Sequence, residues 1–292
     1  MRSPRHSWAV LLLALTVGQA GAGETALEVE ARALLDAGDA DGAVNTIEAR
    51  SPEAERTAGV WFLLAEGYHT LLDEAALLKK RGLAKKMKGA LETALELDPG
   101  HVDARRELAD FYHYAPWIVG GSKDEAEKQL DLLESVAPGE GWATRGRYAR
   151  EAGNLEAARD HYRKAVELGY REPGVLLALA VVDQQLDDYD ESIRLLDEAI
   201  EADPELEQAY YYRARASAMA AVDIDRGIEC AEYYLEHCTE CDDSDRGYAW
   251  WRRAVLHKRK GETDAAIAAY REALRLNPEL EGAREGLEEL EP

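Results

Sequence analysis

The stretch WWRRAVLHKRKGETDAAIAAYREALRLNP, residues 250–278, decides the fold of this chain. Ala254 and Ala266 are small where two helices would cross, and Tyr270 is large where a space would need filling. Gly261 breaks the helical pattern in the middle, and Pro278 closes it. Proline lacks an amide donor and clashes with the preceding turn, so it cannot continue the second helix. The same offsets recur at Trp142, Gly146, Gly153, Ala158, Tyr162 and Ala165, and again at Leu176, Ala180, Ser192, Leu196, Ala199 and Pro204.

A unit of 34 residues with these offsets is the tetratricopeptide repeat (TPR), a pair of antiparallel helices. Backbones in such a pair approach closely only where small residues sit at the crossing, and the aromatic positions pack between helices and against the next unit. Counted from these anchors, units start near residues 24, 58, 102, 139, 173, 207 and 247. The expected fold is all-α: a right-handed superhelical solenoid of about seven helical hairpins, closed by a C-terminal capping helix over 279–290 with a polar outer face.

At the amino terminus, Arg2 and Arg5 precede an apolar run from Trp8 to Val17 and the small residues Ala20-Gly21-Ala22. This order predicts a signal peptide over 1–22, leaving a solenoid over 23–292 in the periplasm or secreted. The apolar run is shorter than the ~20 residues a membrane span requires. The first cysteine is Cys230, so no lipid-anchoring cysteine follows the run. The formal net charge of −23 argues against nucleic acid and anionic lipid, both bound largely through Lys and Arg on phosphates.

Three units depart from the standard length. The second gains about ten residues by the repeat count, around Lys79, Lys80, Arg81, Lys85, Lys86 and Lys88, and reads as a longer hairpin with a solvated basic face or a docking patch for an acidic partner. In the third, the connection between helices is longer by about five residues and contains Ala115-Pro116-Trp117-Ile118-Val119-Gly120-Gly121-Ser122-Lys123. Ser122 and Glu125 are spaced as a capping box for the next helix. Together with Ala94-Leu95-Glu96-Leu97-Asp98-Pro99, Phe111-Tyr112 and Ala126, this A-P-x-x-x-G-G-S-K insert resembles a family of exported bacterial TPR proteins over residues 58–138. The resemblance implies a helical solenoid in the cell envelope and no catalytic residues.

The third departure, between Leu235 and Arg246, holds Cys238 and Cys241, with Cys230 on the preceding helix. Export favours one disulfide and one free thiol. On a continuous helix Cys230 and Cys238 would lie about 12 Å apart, too far for a bridge; Cys238–Cys241 and Cys230–Cys241 stay open. With His237 the three cysteines are also four plausible zinc ligands, although structural zinc more often uses two separated pairs.

No H-E-x-x-H, G-x-S-x-G or Gly-rich strand-to-helix turn occurs, so neither an enzyme nor a cofactor is expected. Function then falls to the inner face of the repeats, which the offsets assign to Arg106, His113, Tyr114, Arg147, Arg150, Tyr211, Arg215, Tyr248, Trp251, Lys258 and Arg259, among the acids Asp103, Asp110, Glu140 and Glu151. Arginine and large aromatics dominate binding energy at interfaces. The expectation is a scaffold holding an acidic protein or peptide through Arg106, Arg147, Arg150, Tyr211, Arg215 and Trp251; a small-molecule-binding solenoid serving a transporter is the alternative, which a deep apolar pocket would favour.

Overall fold

The computed structural model describes residues 25–291, and the signal peptide expected over 1–22 lies outside them. Among the described residues the regular elements are all helical, and fourteen of the helices pair into seven hairpins. None of these helices is long and apolar enough to cross a membrane.

The chain divides into two compact units, 1–136 and 137–292. In the first, Ala26–Asp36 (α1) pairs with Ala40–Arg50 (α2), Ala58–Glu74 (α3) with Leu77–Leu97 (α4), and Val102–Tyr114 (α5) with Lys123–Val136 (α6). The core is built on Ile47, Leu64, Leu91 and Leu130. In the second, Pro138–Glu151 (α7) pairs with Leu155–Glu167 (α8), Pro173–Gln185 (α9) with Tyr189–Ala202 (α10), Glu207–Ala220 (α11) with Ile224–His237 (α12), and Asp243–Lys260 (α13) with Thr263–Leu276 (α14). Glu281–Glu288 (α15) then packs on α13 and α14 through Ala283 and Gly286.

The repeat offsets act as packing requires. Ala158, Ala180, Ser192, Ala254 and Ala266 are each 0% exposed, which is where the partner backbone comes closest. The prolines stop helices through a local device used three times. Asp98, Asp203 and Asn277 each precede a proline, and their side-chain oxygens accept from the amides of Gly100, Glu205 and Glu279 at 2.9–3.1 Å. Each such turn offers the backbone an alternative to a further helical bond.

Both length departures in the first unit are resolved in detail. The basic stretch lies on α4, a helix of 21 residues. The A-P-x-x-x-G-G-S-K insert forms a single 3-10 turn over Trp117–Val119. Only half of the expected capping box forms. Ser122 Oγ accepts from the Glu125 amide at 3.3 Å, but the Ser122 amide donates to the Tyr112 carbonyl at 2.9 Å. With that donor satisfied, the Glu125 carboxylate turns outward and accepts from Lys128 Nζ at 2.6 Å.

Candidate functional site

Helices α11 and α13 pack side by side in the second unit. On α11, Ala209, Arg213, Ala214 and Ser217 point inward, which leaves Tyr211 and Arg215, four residues apart, on one stripe of the remaining face. From α13, Arg252 lays its guanidinium over the Trp251 ring at 4.0 Å from the centroid and reaches the Tyr211 hydroxyl. From the start of α10, Tyr189 joins them; its hydroxyl donates to Asp187 Oδ1 at 3.0 Å, and both Arg215 and Arg252 lie close enough to act on it.

The electrostatics of this cluster are unusual for so acidic a chain. Burial raises the Tyr211 phenol, against the pull of Arg252 and Arg215. Burial also lowers Arg252, and the like charge of Arg215 adds to the effect although Tyr211 opposes it. Arg252 Nε is buried without a hydrogen-bond partner. Among the described residues neither guanidinium forms an ion pair with a carboxylate. The neighbouring Arg253 shows the contrast, since its Nη2 meets Glu232 at 2.6 Å. Two guanidiniums close together with no ion-paired acid, beside tyrosine hydroxyls and an indole, have the chemistry to bind a carboxylate, which arginine takes through two parallel N–H donors.

The remaining expected residues are distributed as follows. Tyr211, Arg215 and Trp251 come together, joined by Arg252 and Tyr189, which the repeat offsets did not single out. Trp251 is half-buried and packs on α15, where an added Cβ at Gly282 would lie 2.3 Å from its ring, so it supports Arg252 more than it faces solvent. Tyr248 stands beside it at 6.3 Å. On α7, the Arg147 guanidinium lies over the Tyr148 ring at 5.1 Å, and Arg147 and Arg150 both act on Tyr162. Lys258 pairs with Glu289, the residue just after α15. In the first unit, Arg106 is held by Asp103 at 3.1 Å and by Glu107 at 3.9 Å, which leaves it less charge to offer. On the basic helix α4, Lys86 pairs with Glu48 at 3.6 Å and Lys88 with Glu92 at 3.3 Å.

The cysteines form a structural clip. Cys238 and Cys241 are joined by a disulfide with Cα atoms 5.8 Å apart, and Arg246 Nη2 donates to the Cys238 carbonyl at 2.9 Å. Cys230 is free and 0% exposed, and burial pushes its thiol up to about 11. The His237 ring stacks on Tyr233 at 4.0 Å between centroids. Among the described residues no group of three or more His, Cys, Asp or Glu could hold a metal ion. Because the thiolate is the reacting form, the native protein should show no reactive thiol, the denatured protein one, and the denatured and reduced protein three. Two or more reactive thiols in the denatured, unreduced protein would contradict the pairing.

Comparison with known proteins agrees with this architecture. Models of the tetratricopeptide repeat match residues 247–280 and 143–204. No curated protein matches the chain by sequence. Among solved structures, YrrB, described as a TPR protein with an unusual peptide-binding site, is 15% identical with a TM-score of 0.56, over 68% of this chain and 98% of that one. The C-terminal part of a TPR repeat-containing protein from Cytophaga hutchinsonii is 18% identical with a TM-score of 0.56, over 89% of this chain and 99% of that one. A chain of the APC/C hetero-tetramer Cut9–Hcn1 is 16% identical with a TM-score of 0.58, over 90% of this chain and 48% of its own length. At these identities the likeness is one of fold.

Proposed function

We propose that this tetratricopeptide-repeat protein is a non-catalytic scaffold of the cell envelope that holds an acidic segment of a partner protein on the second unit. The observation that carries the reading is the uncompensated pair Arg215 and Arg252. A chain with a net charge of −23 has ample acid to neutralise both, yet in the folded structure Arg215 lies close enough to act on Arg252, and neither has an ion-pair partner among the described residues. A carboxylate from a partner relieves that repulsion and gives the two guanidiniums an acceptor. Tyr211, Tyr189 and the indole of Trp251 wall the position, and Arg147 and Arg150 extend the positive character along the same unit. YrrB, which shares the fold, offers a precedent for a peptide on this architecture. The expected signal peptide supports the envelope location, and a precursor that shortens by about 22 residues on export would establish it.

The test uses a fluorescein-labelled decapeptide of Asp, Glu and Leu, titrated by polarisation. A hydrogen bond to a charged group contributes ~1.5–3 kcal/mol, so Arg252→Ala should weaken binding at least tenfold and the double variant Arg215→Ala/Arg252→Ala should remove it. Helicity should not change, because neither side chain holds one of the small-residue positions where helix backbones meet, and circular dichroism of each variant checks this. Rising salt should weaken the wild-type complex, since exposed charges are screened over ~10 Å at 0.1 M. Equal affinities for the wild type and the double variant would remove the basis for this placement.

A further inference from the structure

The two departures from repeat length in the first unit converge on one cavity. The extended α4 supplies Lys80, Arg81, Ala84 and Met87, and the insert after α5 supplies Ala115, Pro116, Ile118 and Val119. Leu72 of α3 and Phe111 and Tyr114 of α5 complete an apolar lining around about 600 Å³. Stacking of the hairpins needs neither addition, since the other repeats pack without them.

The insert is a built wall. Gly120 has φ +108, and the amides of Val119, Gly120 and Gly121 donate to the carbonyls of Pro116, Trp117 and Pro116 at 3.0–3.2 Å. Gly121 passes so close to the chain that a Cβ would lie 1.7 Å from the Ala115 carbonyl oxygen. Lys123 Nζ ties the far end to the His113 carbonyl at 2.7 Å. This fixed loop and the end of α5 display apolar surface to water: Tyr114 is 51% exposed, Ile118 58% and Trp117 84%.

The volume lies in the range of small-ligand pockets, which are mostly apolar with a few polar groups that fix orientation. The polar groups here are unequal. Glu107 on the α5 wall is already held by Arg106 and His69, and Asp110 is engaged as well. Arg81, exposed at the edge next to Lys80, makes no ion pair among the described residues. Both belong to the dense basic stretch on α4.

We propose that this cavity binds one small amphiphile, its apolar chain between Met87, Phe111 and Ile118 and its anionic head on Arg81 and Lys80. The site is separate from the carboxylate receptor on the second unit and does not depend on it.

The test titrates the delipidated full chain with dodecanoate and with dodecanol, both below their micellar concentrations, by calorimetry. Saturable binding of one dodecanoate per chain is expected. Arg81→Ala/Lys80→Ala should weaken dodecanoate about tenfold and leave dodecanol unchanged. Ile118→Asp, on the exposed loop and therefore harmless to folding, should weaken both, while Arg215→Ala/Arg252→Ala should affect neither. Absence of saturable dodecanoate binding by the wild type would overturn the proposal, as would binding indifferent to Ile118→Asp. Concentration-dependent dimerisation abolished by Ile118→Asp, without amphiphile binding, would overturn it in favour of a second copy of this chain as the occupant.

Discussion

Asp183→Asn should stabilise the protein at pH 7 by about 3 kcal/mol and leave it nearly unchanged near pH 4. Asp183 is 0% exposed within the second unit. Its Oδ1 meets Arg163 Nη2 at 3.4 Å, while Oδ2 is buried with no partner. Burial, against the pull of Arg163 and with a smaller push from Asp188, raises its carboxyl from the ordinary 3.8 to about 6. The native state therefore holds a proton that the unfolded state releases between those values. Stability falls as pH rises through this window, by about 1.4 kcal/mol per pH unit. Asparagine keeps the shape without the charge, so the stability difference between variant and wild type should open from near zero at pH 4 to about 3 kcal/mol at pH 7. Urea denaturation at several pH values reads both curves. A variant less stable than the wild type at pH 7 would mean that the Arg163 contact outweighs the cost of burying the charge.

Asp183 also marks where reading the sequence reaches its limit. The repeat was legible because close helix crossings tolerate so few residue types. Ala158, Ala180, Ser192, Ala254 and Ala266 recur at fixed offsets for that steric reason, and each is fully buried. Charged residues carry no such constraint. With 58 acids in the chain, nothing in the pattern distinguishes Asp183 from its solvated neighbours. Arg213 is equally hidden in the sequence, yet it is 1% exposed and bound by Asp197 at 2.7 Å and Asp223 at 3.2 Å.

The candidate sites divide in the same way. Tyr211, Arg215 and Trp251 follow from the offsets of the inner face, but Arg252 does not. In the run Trp251-Arg252-Arg253 the two arginines look alike; only the packing of α13 gives Arg253 an acid, Glu232 on α12, and sets Arg252 beside Tyr211 and Arg215 of α11. Tyr189 comes from the second helix of its hairpin, a helix that the offsets do not assign to the inner face. In the first unit both insertions were visible as extra length, whereas their shared cavity was not. Leu72, Met87 and Ile118 are far apart in sequence and meet only once α3, α4 and α5 have packed.

The steric account of the crossings makes a prediction of opposite signs for one chemical change. Alanine is a better helix former than glycine by ~1 kcal/mol in a helix interior, and Gly→Ala also restricts the unfolded chain. On that ground alone, alanine would stabilise any helical glycine. Gly82 on α4 meets this condition, since an added Cβ would have nothing within 4 Å. Gly82→Ala should therefore raise stability by about 1 kcal/mol. Gly146 on α7 sits at a crossing, where the same Cβ would lie 2.7–2.8 Å from three carbons of the Tyr162 ring. Tyr162 is 3% exposed and belongs to the core of the second unit. Overpacking of this kind costs ~1–3 kcal/mol, enough to cancel the propensity gain and reverse its sign. Denaturant midpoints of the two variants measured beside the wild type test the pair. A stabilising Gly146→Ala would show that α7 and α8 can separate without loss, which contradicts close approach at that position as the reason for a small residue there.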